Sequence, residues 1–392
     1  MKNKVLFIIL CGLACNGFAI VPGYSGARSL SLGYASTAFN YDINAIFINP
    51  SLLASASAAL SGYQYQNSFL DYKDFNERLN GVMAYNLTNF TGLSSGDKAD
   101  VLAKLKDLYQ SKAGMYGFIS NMPGFISKGY GLAVGLVNTT VINPATTTGG
   151  VSLFDKAVGD VTNEDIAGLR MKFLGLKYKQ ISVSYGMELM RSVNLGVTVH
   201  YLNGKVNDFG RSIADDVFRG DKTVKDYLEY GWSNGESKFS KVVADVGVSV
   251  NLGRFFCVGM VVRNFGSAKI KAPQRDIALP RRMIAGLAFR PNPQWGFYLD
   301  MDVKESDLLY NGQKMQPISF GIEKSFFDNK LFIRAGMLND ITEKHIFGKK
   351  SNALYGLGLG FNMGKMVVDL AVGLNSGGTV KNLAISGFFI VK

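Results

Sequence analysis

The sequence predicts an all-β fold, a transmembrane antiparallel β-barrel of about 14 strands, on three observations. Apolar residues recur at every second position through much of the chain, the period of a strand with two unlike faces. Short turns alternate with long connections between those segments, and the chain opens with an export signal. Composition agrees: 45 of the 392 residues are Gly, 9 are Pro, 18% are charged, and mean hydropathy is +0.10. Past the N-terminus no run approaches the ~18 to 20 consecutive apolar residues of a helical membrane span, so a helical transporter is excluded. A coiled coil and a disordered chain are excluded by composition.

Lys2 and Lys4 precede an apolar run over residues 5–14, and Gly17 and Ala19 offer a cleavage site before Ile20, so residues 1–19 read as a secretory signal peptide. The run is short for a membrane anchor, and Gly12 fits poorly the pattern that would make Cys15 a lipid-acylation site. Removal of this segment takes Cys11 and Cys15 and leaves Cys257, which forms no internal disulfide. His200 and His345 are the only imidazoles, too few for a Cys/His zinc site. His200 sits in a strand pattern near Thr198 and reads as a satisfied wall residue, not a catalyst. The expectation is therefore a chain that is no enzyme, with no catalytic residue, no metal and no cofactor. The formal charge of +12 suits anionic lipid or an anionic solute. For an exported protein nucleic acid is not an expected partner, and no dense basic block stands out, so lysines solvated in loops explain the charge equally well.

The strands follow in order. Val193, Leu195, Val197, Val199 and Tyr201 face one side, with Asn194, Gly196, Thr198 and His200 on the other. Residues 242–252, 297–303, 355–361 and 366–374 repeat the pattern, and weaker versions occupy 132–136, 181–187, 283–289, 318–322 and 331–337, with a last strand over 383–391. Their punctuation is that of hairpins, at Arg191-Ser192, Gly253-Arg254, Asp328-Asn329 and Met363-Gly364. The long connections are residues 139–168 and 208–237. A soluble β-sandwich also alternates, but its polar face meets water and is rich in Lys, Glu and Thr. Here the polar face is Gly, Ser, Asn and occasional Asp, which suits a crowded lumen, while the apolar face carries the Phe, Tyr, Leu and Met of a lipid-facing belt. Closure also removes the open edges so many strands would create. Strand assignment is least clear over residues 58–121. Fourteen strands leave much of the chain for plug and loops, and residues 97–112 form a helix with Val101, Leu105, Leu108 and Tyr109 on one stripe, packing on the barrel rim. A second, weaker helical loop covers residues 213–230.

Residues 26–54, GARSLSLGYASTAFNYDINAIFINPSLLA, resemble the N-terminal signature of the FadL-type outer-membrane protein family, including its PorV-like branch. The positions that carry the likeness are Gly26, Arg28, Ser29, Leu30, Leu32, Gly33, Asp42, Asn44, Asn49 and Pro50, with Ser51 where the family has alanine. Segments at 260–267, 279–291, 299–306 and 320–340 are similar to the PorV-like branch in the same succession. The resemblance implies a fourteen-stranded barrel, residues 58–392 with helical insertions near 97–112 and 208–237, whose residues 20–57 fold inward as a hatch. It assigns Gly26, Arg28, Ser29, Gly33, Asp42, Asn44, Asn49 and Pro50 to that plug.

A plug is reasonable on physical grounds too: Gly23, Gly26 and Gly33 permit tight backbone packing, and Pro50 fixes φ and biases Asn49 away from helix, a natural turn. The glycines of GLGLGFNMG at 356–364 cradle no phosphate, because they lie inside a period-two strand with no helix after it. Asp300 and Asp302, two residues apart on one polar face, read as lumen-wall residues rather than an acid/base pair.

The resemblance implies a monomeric channel of the bacterial outer membrane for passive uptake of hydrophobic small molecules such as long-chain fatty acids, embedded in outer-membrane lipid. An alternative of another class is a PorV-like binding or shuttle component of a protein secretion system, with secretion proteins as partners. A general porin is disfavoured by the plug.

Overall fold

The alternating segments become strands whose outward residues are apolar and exposed and whose inward residues are small or polar and buried. A computed structural model describes residues 26–40, 42–72, 75–110, 114–146, 152–215, 224–266, 268–307, 314–341, 353–374 and 380–391. The expected signal peptide, Gly23 and His345 lie outside the described residues.

Fourteen strands close one antiparallel barrel. They are β1 (Ala59–Tyr72), β2 (Gly114–Ser127), β3 (Tyr130–Thr146), β4 (Leu169–Met190), β5 (Val193–Ser212), β6 (Glu236–Leu252), β7 (Phe256–Phe265), β8 (Arg282–Asn292), β9 (Trp295–Asp302), β10 (Pro317–Phe326), β11 (Leu331–Asp340), β12 (Leu354–Asn362), β13 (Met366–Leu374) and β14 (Val380–Val391). Each pairs with its sequence neighbour, and β1 closes on β14 from Ala59↔Val391 to Ser68↔Asn382, so the barrel has no free edge. Tight turns join the strands at one end, and the long connections, two of which carry small two-stranded ribbons, gather at the other.

The outward faces carry Leu136, Val183, Val242 and Phe389, each more than half exposed, with similar residues on neighbouring strands. An apolar surface that large and continuous is stable against lipid and not against water.

At the long-loop end α1 (Phe75–Met83), α2 (Ser95–Gln110), α3 (Asn163–Ala167) and α4 (Val224–Ser233) form a helical cap. The stripe expected at 97–112 is present: Val101, Leu105 and Leu108 are fully buried against Phe75, Leu79 and Phe90, and each such side chain contributes about 1.5–3 kcal/mol. Short capping devices start these helices. Ser94 Oγ accepts from the Asp97 N–H at 3.1 Å, and Thr162 and Asp165 form a reciprocal capping box. The Lys156 ammonium, 2.7 Å away, and the Thr162 N–H hold the Asp165 carboxyl below the usual carboxylate range.

Two expected boundaries move. Residues 139–146 and 208–212 are not loop: β3 runs on to Thr146 and β5 to Ser212. The cap covers the outer face of these extensions, so Phe173, Leu174 and Leu176 of the paired β4 are all buried and the alternation disappears there. The helix expected over 213–230 is, among the described residues, Val224–Ser233.

Candidate functional site

The lumen is filled from the N-terminal side by residues 26–40 and 42–58, which turn through a short helix at Gly26–Ser31, a second at Ala45–Ile48 and a 3-10 turn at Pro50–Ser55. Almost every described residue between Gly26 and Ala54 is buried. The wall accepts this segment because its inward positions are glycine where the plug backbone lies flat. A Cβ added at Gly356 would overlap the Leu30 carbonyl, at Gly336 the Leu32–Gly33 peptide, and at Gly196 the Pro50–Ser51 peptide. The inward glycines that give the strands their polar face are thus contact points for the plug.

Arg28 is the plug's main anchor. Fully buried, it donates from Nε to Glu323 Oε2 at 3.3 Å and from a terminal nitrogen to Tyr298 Oη at 3.1 Å, and its guanidinium lies 5.2 Å from the Tyr298 ring and 5.6 Å from that of Phe39. Glu323 also accepts from Arg334 Nε at 2.6 Å, and Arg334 donates to Asp369 at 2.6 Å, which makes a four-member chain of alternating charge from plug to wall. Ser29 Oγ shares a 2.7 Å hydrogen bond with Ser36 Oγ. Gly26 and Gly33 have φ of +65° and +62°, the left-handed conformation that favours glycine, and a Cβ on Gly33 would press on the Met337 backbone of β11.

Asp42 Oδ1 accepts from the Asn44 N–H at 2.7 Å, while Asp42 Oδ2 and the Asn44 side-chain amide are buried with no hydrogen-bond partner among the described residues. Asn49 Nδ2 donates to the Thr37 carbonyl at 2.9 Å and to the Val248 carbonyl at 3.3 Å, and its Oδ1 accepts from the Ser51 N–H and hydroxyl. It is the cap of the turn that Pro50 begins, and Ser51 adds a hydroxyl contact that alanine would lack. Further wall contacts seat the plug: Asp300 Oδ2 accepts from the Ser36 and Thr37 N–H groups at 2.8 Å, and Thr198 Oγ1 donates to the Ile46 carbonyl at 2.8 Å.

Asp300 and Asp302 do share the lumen wall, but with separate tasks. Asp300 holds plug backbone, whereas Asp302 takes a two-pronged hydrogen bond from Arg282 at 2.9 and 2.8 Å. His200 is satisfied, with Nδ1 2.8 Å from Ser182 Oγ and Nε2 3.2 Å from Asp245 Oδ2. Cys257, the one cysteine among the described residues, is a buried free thiol.

Two cavities flank the helix Ala45–Ile48. The one toward the long loops is about 120 Å³ and is walled by Phe47, Tyr116, Phe118, Tyr178, Leu202 and Val243. Its polar end holds Arg263 and Arg282, directly paired across β7 and β8. Arg282 is neutralised by Asp302, whereas no carboxylate lies within ion-pair distance of Arg263 among the described residues and its Nε has no hydrogen-bond partner. The second cavity, toward the short turns, is about 490 Å³ and includes Ala45, Leu52, Leu60, Ile126, Phe332 and Phe388. Beside it the β2–β3 pairing passes from Asn121↔Leu136 to Gly124↔Ala133 without bridging at Met122 and Pro123, because Pro123 has no N–H to donate.

Solved structures share this architecture. A Pseudomonas aeruginosa FadL homologue aligns over 95% of this chain and 99% of its own, at 11% identity and a TM-score of 0.54. The Ralstonia pickettii toluene transporter TbuX covers 94% and 99%, at 12% identity and a TM-score of 0.53. The CymD monoaromatic hydrocarbon channel covers 94% and 97%, at 13% identity and a TM-score of 0.52. They have the same fold. The sequence matches no protein-family model and no curated protein.

The residues that sequence reasoning missed are Glu323, Tyr298, Arg334, Asp369, Arg263 and Arg282. Apart from Tyr298 they are charged residues on strands, and Glu323, Arg334, Asp369 and Arg282 are buried at inward positions, a combination rare enough to be a signal.

Proposed function

We propose that this protein is a bacterial outer-membrane channel for the passive uptake of hydrophobic small molecules, fatty acids among them, and that it works as a monomer after cleavage of residues 1–19. The observation that carries the reading is a lumen closed by a buried segment with an apolar-walled cavity on each side of it. A pore for polar solutes needs a continuous aqueous path, and among the described residues the helix Ala45–Ile48 stands between the two cavities. The architecture shared with the toluene transporter and the monoaromatic hydrocarbon channel supports the class of solute.

The mechanism uses no chemistry. An apolar solute leaves water for the aromatic cavity beyond Phe47, where burial of its surface is worth about 25 cal/mol per Å². An acidic head group would meet Arg263, which has no carboxylate within ion-pair distance among the described residues. A shift of the helix Ala45–Ile48 joins the two cavities, and the interrupted β2–β3 pairing at Pro123 gives a place where the wall parts toward lipid. Plug residues Gly26, Arg28, Ser29, Gly33, Asp42, Asn44, Asn49 and Pro50 act by seating and releasing that helix.

The test is entry of a long-chain fatty acid into liposomes carrying a trapped pH dye. Purified protein should accelerate acidification over empty liposomes and over liposomes holding an unrelated barrel. Equal rates in all three would reject the assignment.

A further inference from the structure

We propose that the outer wall over β4, β5 and β6 carries a binding site for the phosphate groups of an anionic glycolipid of the outer leaflet. Strand pairing creates it. Lys177 of β4 lies directly across from Lys205 of β5, and Lys205 lies directly across from Lys238 of β6, so three lysines distant in sequence form one row. Adjacent strands are about 4.8 Å apart, so the row spans roughly 10 Å at the backbone. Lys179 stands two residues from Lys177 on the same outward face. No dense basic block marks this cluster in the sequence, because its members come from three strands.

Its height in the membrane is fixed by its neighbours. Along β4 the outward residues Ile181, Val183, Tyr185 and Met187 are exposed and apolar, and the next outward positions toward the long loops are Lys179 and Lys177. On β5 Leu195, Val197, Val199 and Tyr201 give way to Asn203 and Lys205, and on β6 Val246 and Val242 give way to Ser240 and Lys238. Followed on to the short turns, over residues 181–190, 193–201 and 242–252, these apolar stretches are ten, nine and eleven residues long, about what a tilted strand needs to cross a bilayer. Tyr201 marks the edge as interfacial tyrosines do, its hydroxyl bonded by Ser240 and Asn203 at 3.1 and 3.3 Å. The lysines therefore sit where the head groups of the outer leaflet begin.

The surface between them is concave. A groove of about 750 Å³ runs along the outside of this wall, with Ile119 and Leu136 on its apolar side and the four lysines on the other. Glu236 pairs with Lys205 at 2.9 Å, and no carboxylate lies within ion-pair distance of Lys177, Lys179 or Lys238 among the described residues. The outward residues near the same end of β11, β12 and β13 are Asn339, Tyr355 and Leu374, so the opposite wall carries no matching row of lysines. Four ammonium groups against one carboxylate, beside an apolar groove at the membrane edge, fit a phosphorylated sugar head group with its acyl chains on Ile119 and Leu136. A zwitterionic phospholipid brings its own ammonium and gains less.

The test is native mass spectrometry of the detergent-solubilised full-length protein with bisphosphorylated lipid A and with the same lipid stripped of its phosphates. The wild type should hold the phosphorylated form at least tenfold more tightly. The variant K177Q/K179Q/K205Q/K238Q should lose that preference, and the corresponding four-arginine variant should keep it. Neutralising four basic residues at the short-turn end, Lys128, Arg191, Arg254 and Lys365, should change nothing. Heat-modifiable mobility on a gel reports that each barrel is folded, and K177Q/K238Q replaces the fourfold variant if that one does not fold, with at least a threefold loss expected. The proposal is overturned by undiminished binding to the glutamine variant, by equal binding of the dephosphorylated lipid, by an equal loss in the short-turn variant, or by displacement of the lipid with millimolar inorganic phosphate.

Discussion

Replacing Arg28 with alanine removes the plug's end of the charge chain and leaves Glu323 facing an empty space. Breaking a buried ion pair by deleting one partner costs about 3–5 kcal/mol. Glu323 keeps Arg334 at 2.6 Å, so the lower figure applies, about 3 kcal/mol against the seated plug. At about 1.36 kcal/mol per tenfold change, the ratio of displaced to seated plug rises roughly 150-fold. Single-channel recording in planar bilayers reads this as frequency of opening. The wild type should be nearly silent, Arg28→Ala should open at least tens of times more often, and Arg28→Lys should fall between, since it keeps the charge and loses the fork geometry. Openings as rare in Arg28→Ala as in the wild type would refute the view that this clamp seats the plug.

Other consequences follow from the same contacts. Gly196→Val and Gly356→Val place side-chain atoms where plug backbone lies, so residues 26–54 should become accessible to protease in either variant while the barrel persists; the expected penalty is about 1–3 kcal/mol. Arg263→Leu should weaken binding of a fatty acid by roughly 10- to 100-fold, the value of a hydrogen bond to a charged group, and leave binding of toluene unchanged in a fluorescence displacement assay. Leu105→Ala should cost the helical cap about 2–5 kcal/mol, seen as faster proteolysis of residues 75–110 with unaltered gel mobility of the unheated barrel. Asn49→Ala removes the two donations to Thr37 and Val248 and should raise opening frequency less than Arg28→Ala does, because no charge is left unpaired.

Where the two faces of a strand meet different surroundings, the fold is written in the sequence. Residues 193–201, 242–252 and 366–374 alternate because lipid lies on one side and a packed lumen on the other. The reading fails where both sides are protein: β4 from Phe173 to Leu176 is buried on both faces by the cap and the barrel, so no period of two remains to be seen. The helix with Val101, Leu105 and Leu108 was legible for the same reason as the strands, one buried stripe among solvated residues.

The site was legible only from one side. The plug residues stand close together in sequence, whereas Glu323, Arg334 and Asp369 belong to three strands and meet only through register. The lumen glycines were visible as a pattern, but their reason, the plug backbone against Gly196 and Gly356, appears only once the segment is in place. The lysine row behaves likewise, since Lys177, Lys205 and Lys238 become neighbours through strand pairing alone.

The proposed channel holds an apolar solute in the lumen beside the plug. Photolabelling of the membrane-embedded protein with a fatty acid bearing a diazirine near its tail, followed by peptide mapping, tests it most directly. Adducts should fall on Phe47, on Tyr116 and Phe118 of β2 and on Tyr178 of β4, and an excess of unlabelled fatty acid should suppress them. Adducts confined to lipid-facing residues such as Val183 and Leu136, undiminished by competitor, would contradict it.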